Sequence, residues 1–204
     1  MSLLNRALRA ARALRRAELR YALVGGLACI LMGVRRMTED ADFIVEARAL
    51  SEVRRLVSEL RREGLPVVER EAEAAFREGG HFTIVTREGR LDFKFASSPL
   101  DFETVKRAVE VRVRGEPLRI ARLEENIAAK LLVLRSLKDL EDALWLMVEY
   151  WDTIDWARLR ELMSGDPIRA ARELLGEIER ELGSEAAVRS KLEELKSYLN
   201  RLKR

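Results

Sequence analysis

The chain has 204 residues, of which 48% are apolar, enough for one ordinary domain or for a compact domain plus a small helical one, with a real core. No apolar run approaches the roughly 20 residues of a membrane span, so no membrane partner is expected. Its 38 basic and 35 acidic residues nearly cancel, and a net charge of +3 does not by itself argue for nucleic acid.

One cysteine, Cys29, excludes an internal disulfide and a cysteine-based zinc site, and reads as a buried core residue. One histidine, His81, leaves little room for Ser-His or Cys-His chemistry, so catalysis here should run on carboxylates. The basic first residues lead into no apolar run with a small-residue cleavage site, and a cytoplasmic protein is expected. Dense charge with no glutamine and three asparagines fits a thermophilic source.

Residues 2–19 carry Leu4, Ala7, Leu8, Ala11, Leu14 and Ala17 at helical spacing. Residues 1–20 also hold six arginines and one acid, Glu18, and these arginines read either as the solvated face of a packed helix or as a nucleic-acid contact. A buried strand is predicted over 21–24. Gly25-Gly26 turns it into a short helix over 27–32. Residues 41–45 form the next strand, with Asp40 and Asp42 at its start, and an amphipathic helix covers 49–63.

Strands are predicted at 66–69, 81–86 and 91–95, the last two joined by a turn over 87–90, and a second hairpin pairs 109–113 with 118–120. Beyond residue 122 the strand pattern stops. Helices are predicted near 123–135, 138–150, 155–163, 167–182 and 184–202, with Trp145, Tyr150, Trp151 and Trp156 packing where they meet. The fold class is therefore α/β (α+β): a mixed-sheet domain over 1–121 and a helical domain over 122–204.

The chemistry gathers around residues 25–42. Two glycines after a buried strand let the backbone approach a ligand and leave amides to cradle phosphate oxygens. Asp40 and Asp42, two apart on a strand, share a face. Like charges so close call for a neutralising cation, and magnesium favours such oxygen donors. Asp92, between Leu91 and Phe93 on a later strand, completes the cluster if that strand lies beside 41–45.

The combination of Gly25-Gly26, Asp40-Ala41-Asp42 and Asp92 resembles the nucleotidyltransferase fold of the polymerase-beta superfamily. Arg36-X-Thr38-X-Asp40-X-Asp42-Phe43 is similar to the abortive-infection type nucleotidyltransferases, which include toxins of toxin–antitoxin pairs. Ala129-Lys130-Leu131, Arg135 and Lys138-Asp139 resemble that group's downstream helical motif, and the likeness runs over roughly residues 20–145.

The resemblance implies that Asp40, Asp42 and Asp92 bind Mg2+ or Mn2+, with Asp92 the third ligand or the base. It implies that Gly25 and Gly26 hold a nucleoside triphosphate, with Arg36, Thr38 and Lys130 as candidate phosphate contacts. A nucleoside monophosphate would pass to a hydroxyl of RNA, such as a transfer-RNA end, or of a cognate protein. The alternative is a non-catalytic nucleotide- or partner-binding module of the same fold. Asp139 is expected to pair with Arg135, four residues before it.

Overall fold

The protein is described from a computed structural model, over residues 2–202. Its internal packing divides it into two compact units, Met1–Arg122 and Leu123–Arg204. Among the described residues no helix is long and apolar enough to cross a membrane.

The first unit is a six-stranded mixed sheet in the order β3-β4-β2-β1-β6-β5. The strands are β1 (Arg20–Val24), β2 (Asp40–Glu46), β3 (His81–Thr86), β4 (Gly89–Phe95), β5 (Val109–Val113) and β6 (Glu116–Ile120). β2 runs antiparallel to β1 and parallel to β4. Alternation decides which face each strand buries. Ala41, Phe43 and Val45 of β2, with Tyr21 and Leu23 of β1 and Leu91, Phe93 and Phe95 of β4, all face one core. Phe93 lies stacked between Phe43 and Phe82 at centroid distances of 5.3 and 4.8 Å.

That face is covered by α1 (Leu3–Arg16), α3 (Leu50–Arg62) and α4 (Glu69–Glu78). α1 presents Ala7, Ala10, Ala11 and Ala13, small side chains that let its backbone approach the sheet closely. Each of the six arginines before residue 21 has a partner inside the unit. Arg6 meets Glu88, Arg9, Arg12 and Arg16 converge on the buried Glu63, and Arg20 meets Glu46. Arg12 also reaches Glu116, and Arg15 donates to the carbonyl of Pro117.

The opposite face carries a smaller cluster, Ala22, Val105, Ala108 and Ala121, packed by α5 (Pro99–Arg107). α5 opens with a capping box: Ser98 Oγ accepts from the Asp101 amide, and Asp101 returns a carboxylate oxygen to the Ser98 amide. Burial pushes the Asp101 carboxyl up, but the Lys94 ammonium and the Ser97 and Ser98 amides outweigh it and hold the carboxyl below its usual range. A carboxylate depressed in this way stabilises the fold fully above the unfolded value near pH 4, and loses that contribution as pH falls through the folded value. Asp101→Asn is expected to cost about 1–2 kcal/mol at neutral pH. Hydrogen exchange of the α5 amides checks this, and the gap between the two proteins should close as pH falls through the folded value of the Asp101 carboxyl.

Three departures from the sequence reading stand out. Residues 66–69, read as a strand, are a connection over 66–68 and the first residue of α4, whose buried residues are only Ala72 and Ala75. α5 was not foreseen. The turn between β3 and β4 is only Arg87-Glu88, so Gly89 and Arg90 belong to β4.

The second unit is helical: α6 (Leu123–Ala129), a π-helical turn (Lys130–Leu134), α7 (Leu137–Glu149), α8 (Trp156–Met163), α9 (Pro167–Leu182) and α10 (Ala186–Arg201). The helix expected to run unbroken over 123–135 widens at Lys130, and Arg135 ends it at a φ of 55°. The Trp151 and Trp156 rings lie 4.5 Å apart, and the Trp156 indole donates to the Trp151 carbonyl.

Candidate active site

The site is built where β1 ends and β2 begins. β1 leaves the sheet at Val24, and Gly25 turns the chain into α2 (Gly25–Leu31) at a φ of 67°. A side chain there would be strained whatever the space. There is also no space, because a Cβ on Gly25 would collide with the Asp42 carboxylate. A Cβ on Gly26 would lie 2.5 Å from Arg36 Nη2 and 2.9 Å from Thr38 Oγ1. The segment before β2 therefore folds back over the start of α2, bringing Arg36 and Thr38 against the glycine pair. Arg36 donates to the Met37 carbonyl at 3.0 Å, and the Asp40 amide lies 3.4 Å from the Thr38 hydroxyl.

Because β2 alternates, Asp40 and Asp42 share the face away from the aromatic core. In the parallel pairing of β2 and β4, Asp42 is the register partner of Asp92, and Asp40 of Arg90. Neighbouring strands lie about 4.8 Å apart. The two partners that share this face are therefore adjacent, and Asp40 stands one step further along it. The three acids named from the sequence come from two adjacent strands onto one patch.

Two further side chains hold this patch. Thr83, opposite Asp92 in the β3–β4 pairing, donates its hydroxyl to Asp92 Oδ1. Arg90 donates Nε–H to Asp40 Oδ1 at 2.8 Å. Its guanidinium is held above its ordinary pKa first by that hydrogen bond, then by the charges of Asp40, Asp92 and Asp42. One cation thus feels all three carboxylates, the environment a small divalent ion would enter. The donors are carboxylate oxygens, which suit magnesium or manganese.

The acids do not enclose such an ion in this arrangement: among the described residues no three His, Cys, Asp or Glu side chains are grouped to hold a metal. Asp40 is engaged by Arg90, which must yield for a shared site, while Thr83 holds one of the two Asp92 oxygens and leaves the other for a ligand.

Lys130 corrects the sequence reading. Its side chain is 2% exposed, and its ammonium lies 2.7 Å from Asp142 and 3.0 Å from Asp139 within the helical unit. Asp139, expected to pair with Arg135, instead caps α7 through Ser136 and pairs with Lys130, while Arg135 meets Glu177. Two carboxylates already hold the lysine, which removes the argument for a phosphate contact. His81 is exposed at the start of β3, across from Lys94, and Cys29 is buried in α2.

The sequence reading missed Thr83 and Arg90. Counting back from a two-residue turn would have set Thr83 across from Asp92. Placing Arg90 in the turn kept it off the acid face.

Gly25→Ala follows directly from this geometry. It is expected to destabilise the sheet unit by about 1–3 kcal/mol through strain alone. By displacing the Asp42 carboxylate it should lower any activity of the site up to about a hundredfold, which a thermal midpoint and a rate measured on one preparation will check.

No protein-family model matches the sequence, and no curated protein matches it. Among solved structures, similarity extends to an antigenic nucleotidyltransferase-like protein from Paracoccidioides brasiliensis (14% identity, 92% of this chain and 90% of that one, TM-score 0.46). It extends also to the antibiotic-resistance factor ANT(2'')-Ia (16% identity, 91% and 100%, TM-score 0.44). A tRNA-processing enzyme matches 98% of this chain at 17% identity and a TM-score of 0.43, with this chain spanning 57% of its length. Likenesses this distant leave the functional reading to rest on the chain's own side chains.

Proposed function

We propose that the chain is a divalent-cation-dependent nucleotidyltransferase that moves a nucleoside monophosphate from a nucleoside triphosphate to a hydroxyl of RNA or of a protein. One observation carries this reading: β2 and β4 pair in a register that makes Asp42 and Asp92 neighbours, with Asp40 on the same face and the Gly25 backbone against Asp42. Alternating strand acids are common. Acids converging from two parallel strands beside a side-chain-free backbone are what a metal-bound triphosphate requires.

In this reading Asp40, Asp42 and Asp92 hold Mg2+ or Mn2+, which when bound would offset the charge of the triphosphate and of the departing pyrophosphate. The amides of Gly25 and Gly26, with Arg36 and Thr38, orient the phosphates. Thr83 fixes the Asp92 carboxylate, which accepts the proton of the acceptor hydroxyl as its oxygen bonds to the α-phosphorus. The bond from that phosphorus to the bridging oxygen breaks, and pyrophosphate leaves with the electron pair. The residues contribute chiefly position and fixed charge.

The acceptor is the open half of the proposal. The arginines of α1 gave the sequence its best argument for an RNA track, and their ion pairs and carbonyl contact within the unit supply the other reading, the polar face of a packed helix. RNA and protein hydroxyls both remain, and a role as the toxin of a toxin–antitoxin pair rests on the Arg36-to-Phe43 motif.

The test is incubation with each α-labelled triphosphate, total RNA and cell protein, using the wild type and Asp40→Ala. Label in one fraction with the wild type alone is the expected result, and the fraction names the acceptor. Label in neither fraction favours the non-catalytic module. Equal labelling by Asp40→Ala removes the site.

A further inference from the structure

We propose that Arg90 is an exchangeable counter-cation: it rests on Asp40 while no divalent ion is bound, and passes to the triphosphate when the ion takes the carboxylates. The inference rests on the reading of the acids as a cation site and adds a residue which that reading does not contain.

Three observations carry it. Arg90 is the register partner of Asp40 and stands two residues before Asp92, so the strands deliver a guanidinium to the carboxylate patch itself. It donates Nε–H to Asp40 Oδ1 at 2.8 Å, so one of the candidate ligands is already neutralised from within the chain. And the contact is built to break: the Arg90 side chain is 55% exposed and Asp40 28% exposed. An ion pair so open to water is worth little. The buried pairs of the same protein, such as Lys130 with Asp142, have no such freedom.

A divalent ion entering between Asp40, Asp42 and Asp92 brings twice the charge and must displace the guanidinium from Asp40. The displaced side chain stays tethered to β4 beside the patch. A guanidinium is always charged, and its fork matches phosphate oxygens two at a time. The triphosphate that arrives with the ion supplies such oxygens where Asp40 has just released the arginine. One side chain thus limits charge repulsion among the acids in the resting enzyme and contacts the polyphosphate in the loaded one.

The proposal demands effects of opposite sign on two ligands, which a purely structural role does not produce. Manganese binding to wild type, Arg90→Ala, Arg90→Lys and Asp42→Asn is measured by electron paramagnetic resonance of free Mn2+, without nucleotide. ATP binding is then measured with Ca2+ as the accompanying ion. Circular dichroism confirms that each variant is folded.

Arg90→Ala is expected to bind Mn2+ about two- to fivefold more tightly, the size of an exposed ion pair removed. It should bind ATP with Ca2+ about tenfold more weakly, as expected for a lost charge-assisted phosphate contact. Arg90→Lys should keep the manganese affinity of the wild type and recover only part of the ATP affinity. If Arg90→Ala weakens both ligands together, or changes neither while Asp42→Asn abolishes manganese binding, the role of Arg90 is overturned and the cation site stands. If wild type and Asp42→Asn take up manganese equally, the cation site fails, and Arg90 with it.

Discussion

Asp42→Asn should lower the rate of nucleotidyl transfer by roughly 10²–10³-fold, the range for removing one preorganised charge-stabilising group. It should leave the thermal midpoint unchanged or raised. The two outcomes have one cause. Asp42 lies beside Asp92 across the β2–β4 pairing and shares its face with Asp40, so the folded state holds three carboxylates together. Removing one relieves repulsion that stability alone would not tolerate.

Asp42→Glu keeps the charge, yet the Asp42 carboxylate already abuts the space in which a Gly25 Cβ would stand. A side chain one methylene longer has no room on that side, so Asp42→Glu should be nearly as inactive as Asp42→Asn. Rates with saturating Mn2+ and thermal midpoints on the same preparations check both variants. A glutamate variant with near wild-type rate would mean that the close approach of the Gly25 backbone has no function.

The largest stability effect is expected far along the chain. Lys130→Met should cost about 3–5 kcal/mol, the range for breaking one partner out of a buried ion pair. Lys130 is 2% exposed and Asp142 is fully buried, and with Asp139 they form a triad of one cation and two carboxylates. For Asp139, burial raises the carboxyl, but Ser136 and Lys130 together hold it below its usual range. Without the lysine, the Asp139 carboxyl loses part of what holds it down against burial.

A carboxyl held below its unfolded value stabilises the fold above that value, near pH 4, and loses the contribution as pH falls through the folded value, so the part that depends on the lysine is present only at higher pH. The gap between variant and wild type should therefore be widest near neutral pH and narrow below about pH 4. Trp145, Trp151 and Trp156 all lie in the helical unit and are the only tryptophans of the chain, so urea unfolding followed by tryptophan fluorescence reads this unit directly. Equal midpoints at neutral pH would mean that the triad contributes no stability.

The legible parts of this protein were those governed by short-range periodicity. The alternation at 40–45 gave β2 and the shared face of its two acids, and Gly25-Gly26 marked the close turn because no other residue serves there as well. α4 stayed hidden because Val67 and Val68 read as β-formers, and its buried face is two alanines with too little hydrophobic signal to betray a helix. α5 had left a legible trace, Ser98-Pro99 followed by Asp101, a capping box with proline at the first position.

The rest was not local information. Whether Asp92 neighbours Asp42 depends on β4 pairing in parallel with β2, which no spacing within either strand reveals. Thr83 and Arg90 depend on where the β3–β4 turn begins, and a shift of two residues decided whether an arginine stood among the acids. Lys130, apolar on its neighbouring positions, offered a cleft lysine as readily as a buried one. Only the packing of α7 against its helical turn distinguishes the two.

The central claim is that Asp40, Asp42 and Asp92 form one cation site. The most direct measurement is anomalous diffraction at the manganese edge from crystals grown with Mn2+ and a non-hydrolysable triphosphate. The account predicts a peak with Asp42 and Asp92 oxygens within about 2.0–2.6 Å, the distance range for such hard cations, and the triphosphate against Gly25-Gly26. Manganese bound elsewhere, or Asp92 more than about 8 Å from Asp42 with the ion in place, would contradict it.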